Sequence, residues 1–278
     1  MRTIIILSVS SDIGFYLAQA YLKLGYRVIG TFRSLTHVSQ LKKFSHCFLF
    51  PLDVHDPQSV AGFVGQLKRQ RIRWDTVISS VGEPRPLQAF FKSDFGQWKT
   101  SVEVNSLDQL RVVHGLYPLR RKKANMVFFA GGGMNNAVVD FSAYTIGKVM
   151  LAKMCEFLDA ENPDLNIFIV GPGWTKTKTH ELIVKDEQVS SQKKKETLRF
   201  LKGHEGTALK DIFDCIHWLC GEGKAVAGGR NFSVVYDPWR GADQRLLKKA
   251  LAQDKGMYKL KRHGNDFLQQ RETSNGKT

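Results

Sequence analysis

Apolar residues fall along the chain in two alternating rhythms. Short runs, apolar on both parities and rich in β-branched residues, suit strands buried on both faces. They stand at Thr3–Ser8, Arg27–Phe32, Cys47–Leu52, Thr76–Ser80, Asn125–Ala130, Asn166–Val170 and Asn231–Val235. Between them the spacing becomes helical. Ile13, Leu17, Ala20, Tyr21 and Leu24 recur on one face until Gly25 ends the run, and Pro57 opens a helix to Arg71 carrying Val60, Phe63, Val64 and Leu67. A short helix is expected over Leu35–Phe44, a long one from about Asp94 to Leu119, one over Ser142–Phe157 and another over Glu205–Cys220. Strands alternating with helices long enough to cross over imply an α/β fold: a doubly wound sheet of about seven parallel strands with helices on both faces.

That pattern closes at about residue 238, so residues 1–238 read as a single domain. The tail, 239–278, is basic. Its Leu246, Leu247, Leu251, Met257, Tyr258 and Leu260 suggest a helix docked on the body or on a partner, with the last ten residues frayed. In open α/β sheets ligands bind at the carboxyl ends of the strands. The polar and Gly-rich clusters lie at those ends: Ser8 to Gly14, Arg33, Asp53, Ser79 to Gly82, Gly131 to Gly133 and Gly171 to Thr177.

Composition narrows the reading. With 278 residues, 42% of them hydrophobic, the chain can bury a full core. The opening MRTIIIL is too short for a signal peptide or a spanning helix, so no transmembrane segment is expected. Cys47, Cys155, Cys215 and Cys220 form no CxxC, and no His stands in ligand register, which points away from metals and disulfides and towards a reducing cytoplasm. The formal charge of +15 is clustered in Lys68–Arg73, Arg120–Lys123, Lys193–Lys195 and the tail after Trp239. Such runs are either solvated faces or contacts for a phosphate-bearing ligand, an anionic membrane or nucleic acid. No aromatic-interleaved basic motif or recognition-helix pattern occurs, so nucleic acid is not the expected partner.

Tyr144 and Lys148 stand four residues apart on the Ser142 helix, hence on one face. A cation beside a phenol lowers its pKa from about 10 and suits it to exchange a proton with a substrate oxygen. The spacing alone leaves open a packed tyrosine beside a solvated lysine.

At this point the chain resembles the short-chain dehydrogenase/reductase family over roughly residues 3–237, with its Rossmann-like fold. Tyr144 and Lys148 match the YxxxK motif, Asp53-Val54 the adenine-contacting pair after the third strand, and Asn105 the asparagine that orders a water in the proton relay. Pro172-Gly173 with Thr175 and Thr177 matches the PG motif and its downstream threonine at the carboxamide end of a nicotinamide. The resemblance implies Tyr144, Lys148 and Asn105 as catalytic residues. As cofactor contacts it implies Ser10, Ser11, Ile13, Gly14, Asp53, Val54, Ser80, Gly82, Tyr144, Lys148, Pro172, Gly173, Thr175 and Thr177, to which the charge of Arg33 after the second strand adds a further candidate. It also implies a variable substrate lid at 177–202 and a homodimer or homotetramer.

Two departures bear on activity. Where the family's first turn reads TGxxxGIG, this chain has Leu7-Ser8-Val9-Ser10-Ser11-Asp12-Ile13-Gly14. Ser8 adds a Cβ to a tight turn, and Asp12 either brings a carboxylate near the phosphates or caps the following helix. Weaker dinucleotide binding is expected, with Ser10 and Ser11 as phosphate donors. The family's carbonyl-binding serine falls at Ala130 or Gly131, and losing such a donor costs about 2.7–4 kcal/mol of transition-state stabilisation unless Asn135, Asn136 or Ser142 replaces it. After the second strand there is no acid to hold a ribose 2′-hydroxyl, whereas Arg33 suits a 2′-phosphate, so NADP(H) is expected over NAD(H). His180, Lys185 and Lys193–Lys195 in the lid suit an anionic small-molecule substrate, phosphate-bearing or of nucleotide-sugar type. GGG at 131–133, Trp239-Arg240 and MYKLKR from Met257 are similar to bacterial members that accompany surface-polysaccharide genes. The expectation is an NADP(H)-dependent oxidoreductase acting on a carbonyl or alcohol; the alternative is a dinucleotide-binding or scaffold protein that has kept the fold and lost the chemistry.

Overall fold

The computed structural model describes residues 1–34 and 38–262. Seven parallel strands form one sheet in the order β3-β2-β1-β4-β5-β6-β7: β1 (Thr3–Leu7), β2 (Arg27–Phe32), β3 (Cys47–Pro51), β4 (Trp74–Ser79), β5 (Arg120–Phe129), β6 (Asn166–Gly171) and β7 (Asn231–Ser233). The strand order reverses between β1 and β4, which opens a crevice at their carboxyl ends. Strand periodicity divides the core in two. Ile4 and Ile6 face one side, with α1 (Asp12–Lys23) and α8 (Leu209–Glu222). Ile5 and Leu7 face the other, with α2 (Pro57–Arg69), α4 (Leu107–Leu116) and α5 (Ser142–Glu161). Both faces of β1 are covered, hence its unbroken apolar run.

Several bounds differ from those the sequence suggests. The expected long helix is two, α3 (Phe95–Asn105) and α4, broken at Ser106 (φ −142°, ψ −81°) and followed by a 3₁₀ turn at Tyr117–Leu119. Ser106 Oγ donates to the Val102 carbonyl at 2.5 Å, a side-chain bond to the preceding turn. Strand β5 begins at Arg120, ahead of the expected Asn125, because a register shift against β4 absorbs the exposed basic residues, with Lys123 at φ 57°. The 177–202 segment is α6 (Lys178–Lys185) and α7 (Ser191–Lys202), while Val38–Lys43 is a 3₁₀ helix. Residues 35–37 of the expected short helix, and the last ten residues of the tail, lie outside the described residues.

A short helix, α9 (Lys224–Ala227), leads into β7, and α10 (Gln244–Gln253) follows it. Leu247 and Leu251 of α10 are buried with α8, and Met257 and Tyr258 pack beside them; Leu246, expected on the same face, points to solvent. No helix among the described residues is long and apolar enough to cross a membrane.

Candidate active site

The first turn keeps its shape without its glycines. Ser8 adopts φ 65°, a left-handed conformation that costs an L-residue about 1–2 kcal/mol. Hydrogen bonds hold it there: its amide donates to Thr31 Oγ1 at 3.1 Å, and its carbonyl accepts from Ser11 N, Ser11 Oγ and Ser80 Oγ. Ser11 is the N-cap of α1, its hydroxyl accepting from the Gly14 amide at 3.0 Å. A Cβ at Gly14 would overlap the Ser8 carbonyl oxygen and Ser80 Oγ, so this close approach needs glycine. The amides of Asp12 and Ile13 donate to no protein acceptor among the described residues, and the helix end is open to an anion. Asp12 does not cap α1. Its Oδ2 accepts from the Lys178 amide of α6 at 2.7 Å. A cleft of about 380 Å³ on the outer side of this turn is lined by Ser10, Asp12, Tyr16, Gln19, Gln40 and Lys178 among others, and does not reach Tyr144.

Tyr144, Lys148, Asn105, Gly82 and Gly131 converge beyond the ends of β4 and β5. Lys148 is 1% exposed, its Nζ donates to the Val81 carbonyl at 2.9 Å and lies 5.6 Å from the Tyr144 ring centre. Asn105, fully buried, clamps the loop after β4: its Nδ2 donates to the Glu83 carbonyl at 2.7 Å and its Oδ1 accepts from the Glu83 amide at 3.1 Å. A Cβ on Gly82 would lie 3.7 Å from Tyr144 Cε2 and 3.9 Å from Asn105 Oδ1. Burial lowers Lys148 from 10.5 to about 7 and raises Tyr144 from 10.0 to about 12. The expectation that the lysine lowers the phenol does not hold here: burial raises Tyr144, which is held as a neutral acid.

Neither Ala130 nor Gly131 supplies a hydroxyl, and a Cβ on Gly131 would overlap Tyr144 Cε1 and stand 3.0 Å from Lys148 Cγ. Ser142 Oγ accepts from Trp98 Nε1 at 3.0 Å, towards α3. Asn135 and Asn136 are exposed in the turn after Gly133. Thr145 Oγ1 donates to the Gly132 carbonyl at 3.0 Å and fixes that loop to the Tyr144 helix.

The remaining cofactor candidates line the crevice edges. Arg33 is exposed just past β2 and its charge helps hold the Glu83 carboxyl low; burial raises that carboxyl, but the bidentate Arg85 contact outweighs it. Asp53 accepts from the His55 amide at 3.0 Å beside buried Val54. Ser10 is half-buried in the turn, its Oγ 3.5 Å from Ser8 Oγ. Pro172 and Gly173 follow β6, Thr175 is 4% exposed with its hydroxyl 3.5 Å from the Pro172 carbonyl, and Thr177 is the N-cap residue of α6. His180 is placed in the lid, where its ring packs on Phe200 (4.9 Å) and Trp174 (6.1 Å) with Nδ1 3.4 Å from Thr177 Oγ1; burial lowers its pKa, and Lys193 adds to this. Of the lid cations, Lys193 Nζ sits between the rings of Phe141 (5.8 Å) and Trp174 (5.7 Å), while Lys185 and Lys195 are exposed. Glu83, Trp174 and Phe141 carry no motif signal, and only the fold brings them to the site.

No curated protein is similar enough in sequence to count as a match. Solved structures share the fold. A short-chain dehydrogenase/reductase from Saccharomyces cerevisiae is 19% identical, with 86% of this chain and 97% of that one covered and a TM-score of 0.78. Thermoplasma acidophilum aldohexose dehydrogenase is 14% identical over 86% and 96% of the two chains, TM-score 0.72. A short-chain dehydrogenase from Shigella flexneri 2a str. 301, solved complexed with NADP, is 18% identical over 84% and 96%, TM-score 0.68. The family model described as Enoyl-(Acyl carrier protein) reductase matches residues 8–234, nearly the whole span that builds the sheet and the crevice. The chain belongs to the short-chain dehydrogenase/reductase family of oxidoreductases.

Proposed function

We propose that the chain is an NADP(H)-dependent reductase of a carbonyl group on a small anionic substrate, phosphate-bearing or of nucleotide-sugar type, with Tyr144 as the proton donor. The observation that carries this reading is the buried Lys148 ammonium beneath the Tyr144 ring. Burying a lysine is costly, and one whose single hydrogen-bond partner among the described residues is a backbone carbonyl points to chemistry more than to stability. The open amides at the start of α1 and the Gly14 close approach fit a dinucleotide's phosphates; the Asp12 carboxylate weakens that fit without filling the site. A nicotinamide dinucleotide bound there supplies the hydride.

The chain's own residues do the rest. Tyr144 Oη donates its proton to the carbonyl oxygen as charge develops there, and the protonated fraction of Lys148 favours the phenolate left behind. Asn105 holds the loop through Glu83 that faces the phenol, and Arg33 meets the 2′-phosphate. Lys193, between two rings at the lid, meets the substrate anion. A phenol held neutral favours carbonyl reduction over alcohol oxidation near neutral pH. Free cysteines suit the reducing cytoplasm, and exposed Ile146 and Phe157 of α5 with Phe95 and Leu107 suit a homo-oligomer, which light scattering on Phe157→Glu would test.

A second reading is favoured by Gly131: a ring lying on the serine's place suits a dinucleotide-binding protein without catalysis. The two separate in one experiment, NADPH and NADH titration followed by oxidation of NADPH against a panel of phosphorylated and unphosphorylated carbonyl compounds. The reductase reading requires tighter NADPH than NADH binding, turnover with some carbonyl, and loss of turnover in Tyr144→Phe with binding intact. Binding without turnover across the panel favours the second reading; no binding of either nucleotide overturns both.

A further inference from the structure

Asp12 stands where the family's turn has a glycine, and its carboxylate leaves the turn altogether. Helix α1 is capped by Ser11, so Asp12 is surplus to that cap. Across 166 positions, the Lys178 amide donates to Asp12 Oδ2 at 2.7 Å, and Lys178 Nζ lies 3.9 Å from Oδ1. Lys178 is the first residue of α6. That helix's own N-cap residue, Thr177, makes no side-chain cap bond, its hydroxyl facing His180 Nδ1 instead. A helix start leaves orphan amides that favour a carboxylate both by hydrogen bonding and by its charge against the helix dipole. Here that carboxylate comes from the opposite wall of the crevice.

The geometry points to Asp12 as a positioning residue that latches the lid to the dinucleotide turn. The rest of the lid has small anchors: on α7 Phe200, packed on Trp174 and His180, and Thr197 are buried. Ile183 and Val189 pack on Leu87 and Phe141 in a small apolar cluster, and much of α7 is exposed lysine, glutamate and glutamine. Segments held by few buried contacts open locally far below the free energy of global unfolding. The latch therefore holds a sizeable share of the lid's stability, and with it the position of Thr177 and of the Trp174, His180 and Phe200 rings. It links the lid's closure to the turn that meets phosphate. This inference does not rest on the reductase reading, since the lid can be followed with no substrate present.

Hydrogen exchange of the full-length protein tests it, comparing amides of 178–202 with those of β1 as an internal reference. Losing one capping side chain should speed lid exchange about fivefold in Asp12→Ala, with β1 and the melting temperature unchanged. Asp12→Asn keeps an oxygen acceptor and should stay within about twofold of the wild type. Lys178→Pro removes the amide donor together with the ammonium near Oδ1, so the whole Asp12 contact: proline is accepted at a first helical position, and Thr177 (φ −141°, ψ 164°) already has the extended backbone that precedes one. It should match Asp12→Ala, and the double variant should exceed neither. Wild-type exchange in Asp12→Ala, or additive effects in the double variant, would overturn the latch.

Discussion

Glycine at position 131 is a contact as well as a missing hydroxyl. The Tyr144 ring lies where a side chain would begin, so the tyrosine's place and the serine's absence are one arrangement. Restoring the family's residue should therefore fail: Gly131→Ser should displace the ring and lower carbonyl turnover about tenfold or more, and a gain in kcat would refute this. Lys148 makes a second prediction, through pH. Its folded pKa of about 7 lies below the 10.5 of the unfolded chain, so between those values the unfolded state binds the extra proton. Stability then rises with pH from 7 to 10.5, and the burial penalty is full below 7. Lys148→Met should raise stability at pH 7 by roughly 2–4 kcal/mol, after loss of the Val81 bond, with the gain shrinking towards pH 10 while turnover disappears. Urea titrations at the two pH values check it. In the wild type, kcat/KM for reduction should fall as pH rises through about 7, where Lys148 loses its proton, while the phenol stays neutral.

At the scale of elements, the first turn trades glycine's freedom for hydrogen bonds. Ser8 at φ 65° is strained, and Ser8→Gly, which keeps the backbone bonds to Thr31 and Ser80, should stabilise the fold by about 1 kcal/mol, read as a shifted urea midpoint at constant slope; no shift would mean that glycine's extra freedom in the unfolded chain offsets the relieved strain. The sheet was legible in the sequence because its central strands are covered on both faces and so carry unbroken apolar stretches, β1 most completely. The YxxxK pair was equally legible, since residues four apart on a helix share a face wherever the helix lies. The break at Ser106 was not: helical spacing continues across it, and the cause is one hydroxyl bonding back to Val102. The lid helices were missed because α7 is so polar, SQKKKETLRFLK, that its periodicity is carried by few apolar residues, with only Thr197 and Phe200 buried. The early start of β5 was hidden by exposed arginine and lysine at a shifted register. Asp12 with Lys178, and Gly131 with Tyr144, are contacts between distant segments that no local pattern encodes.

At the scale of the whole molecule, the tail as far as residue 262 is part of the body, and a buried arginine fastens it. Arg230, 3% exposed, meets no carboxylate oxygen among the described residues; its guanidinium donates instead to the carbonyls of Ala225, Val226, Leu251, Asp254 and Met257. Burial lowers its pKa, with Asp159 and Asp254 opposing at longer range. One planar fork thus ends α9, closes α10 and holds the turn before Tyr258, whose carbonyl in turn accepts from the Asn231 amide of β7. Trp239 and Arg240, singled out in the sequence, serve the same docking: the buried indole donates to the Val234 carbonyl at 2.9 Å, and Arg240 pairs with Asp211 of α8 at 2.6 Å. Removing the fork leaves several carbonyls without a donor in a place water does not reach. Arg230→Met, close in volume and unable to donate, should cost about 3 kcal/mol and give early proteolysis beyond residue 238. Arg230→Lys, with three donors and no plane, should fall between. If Arg230→Met lost less than about 1 kcal/mol, the tail would be held by Leu247 and Leu251 alone, and the guanidinium would be a passenger on an apolar joint.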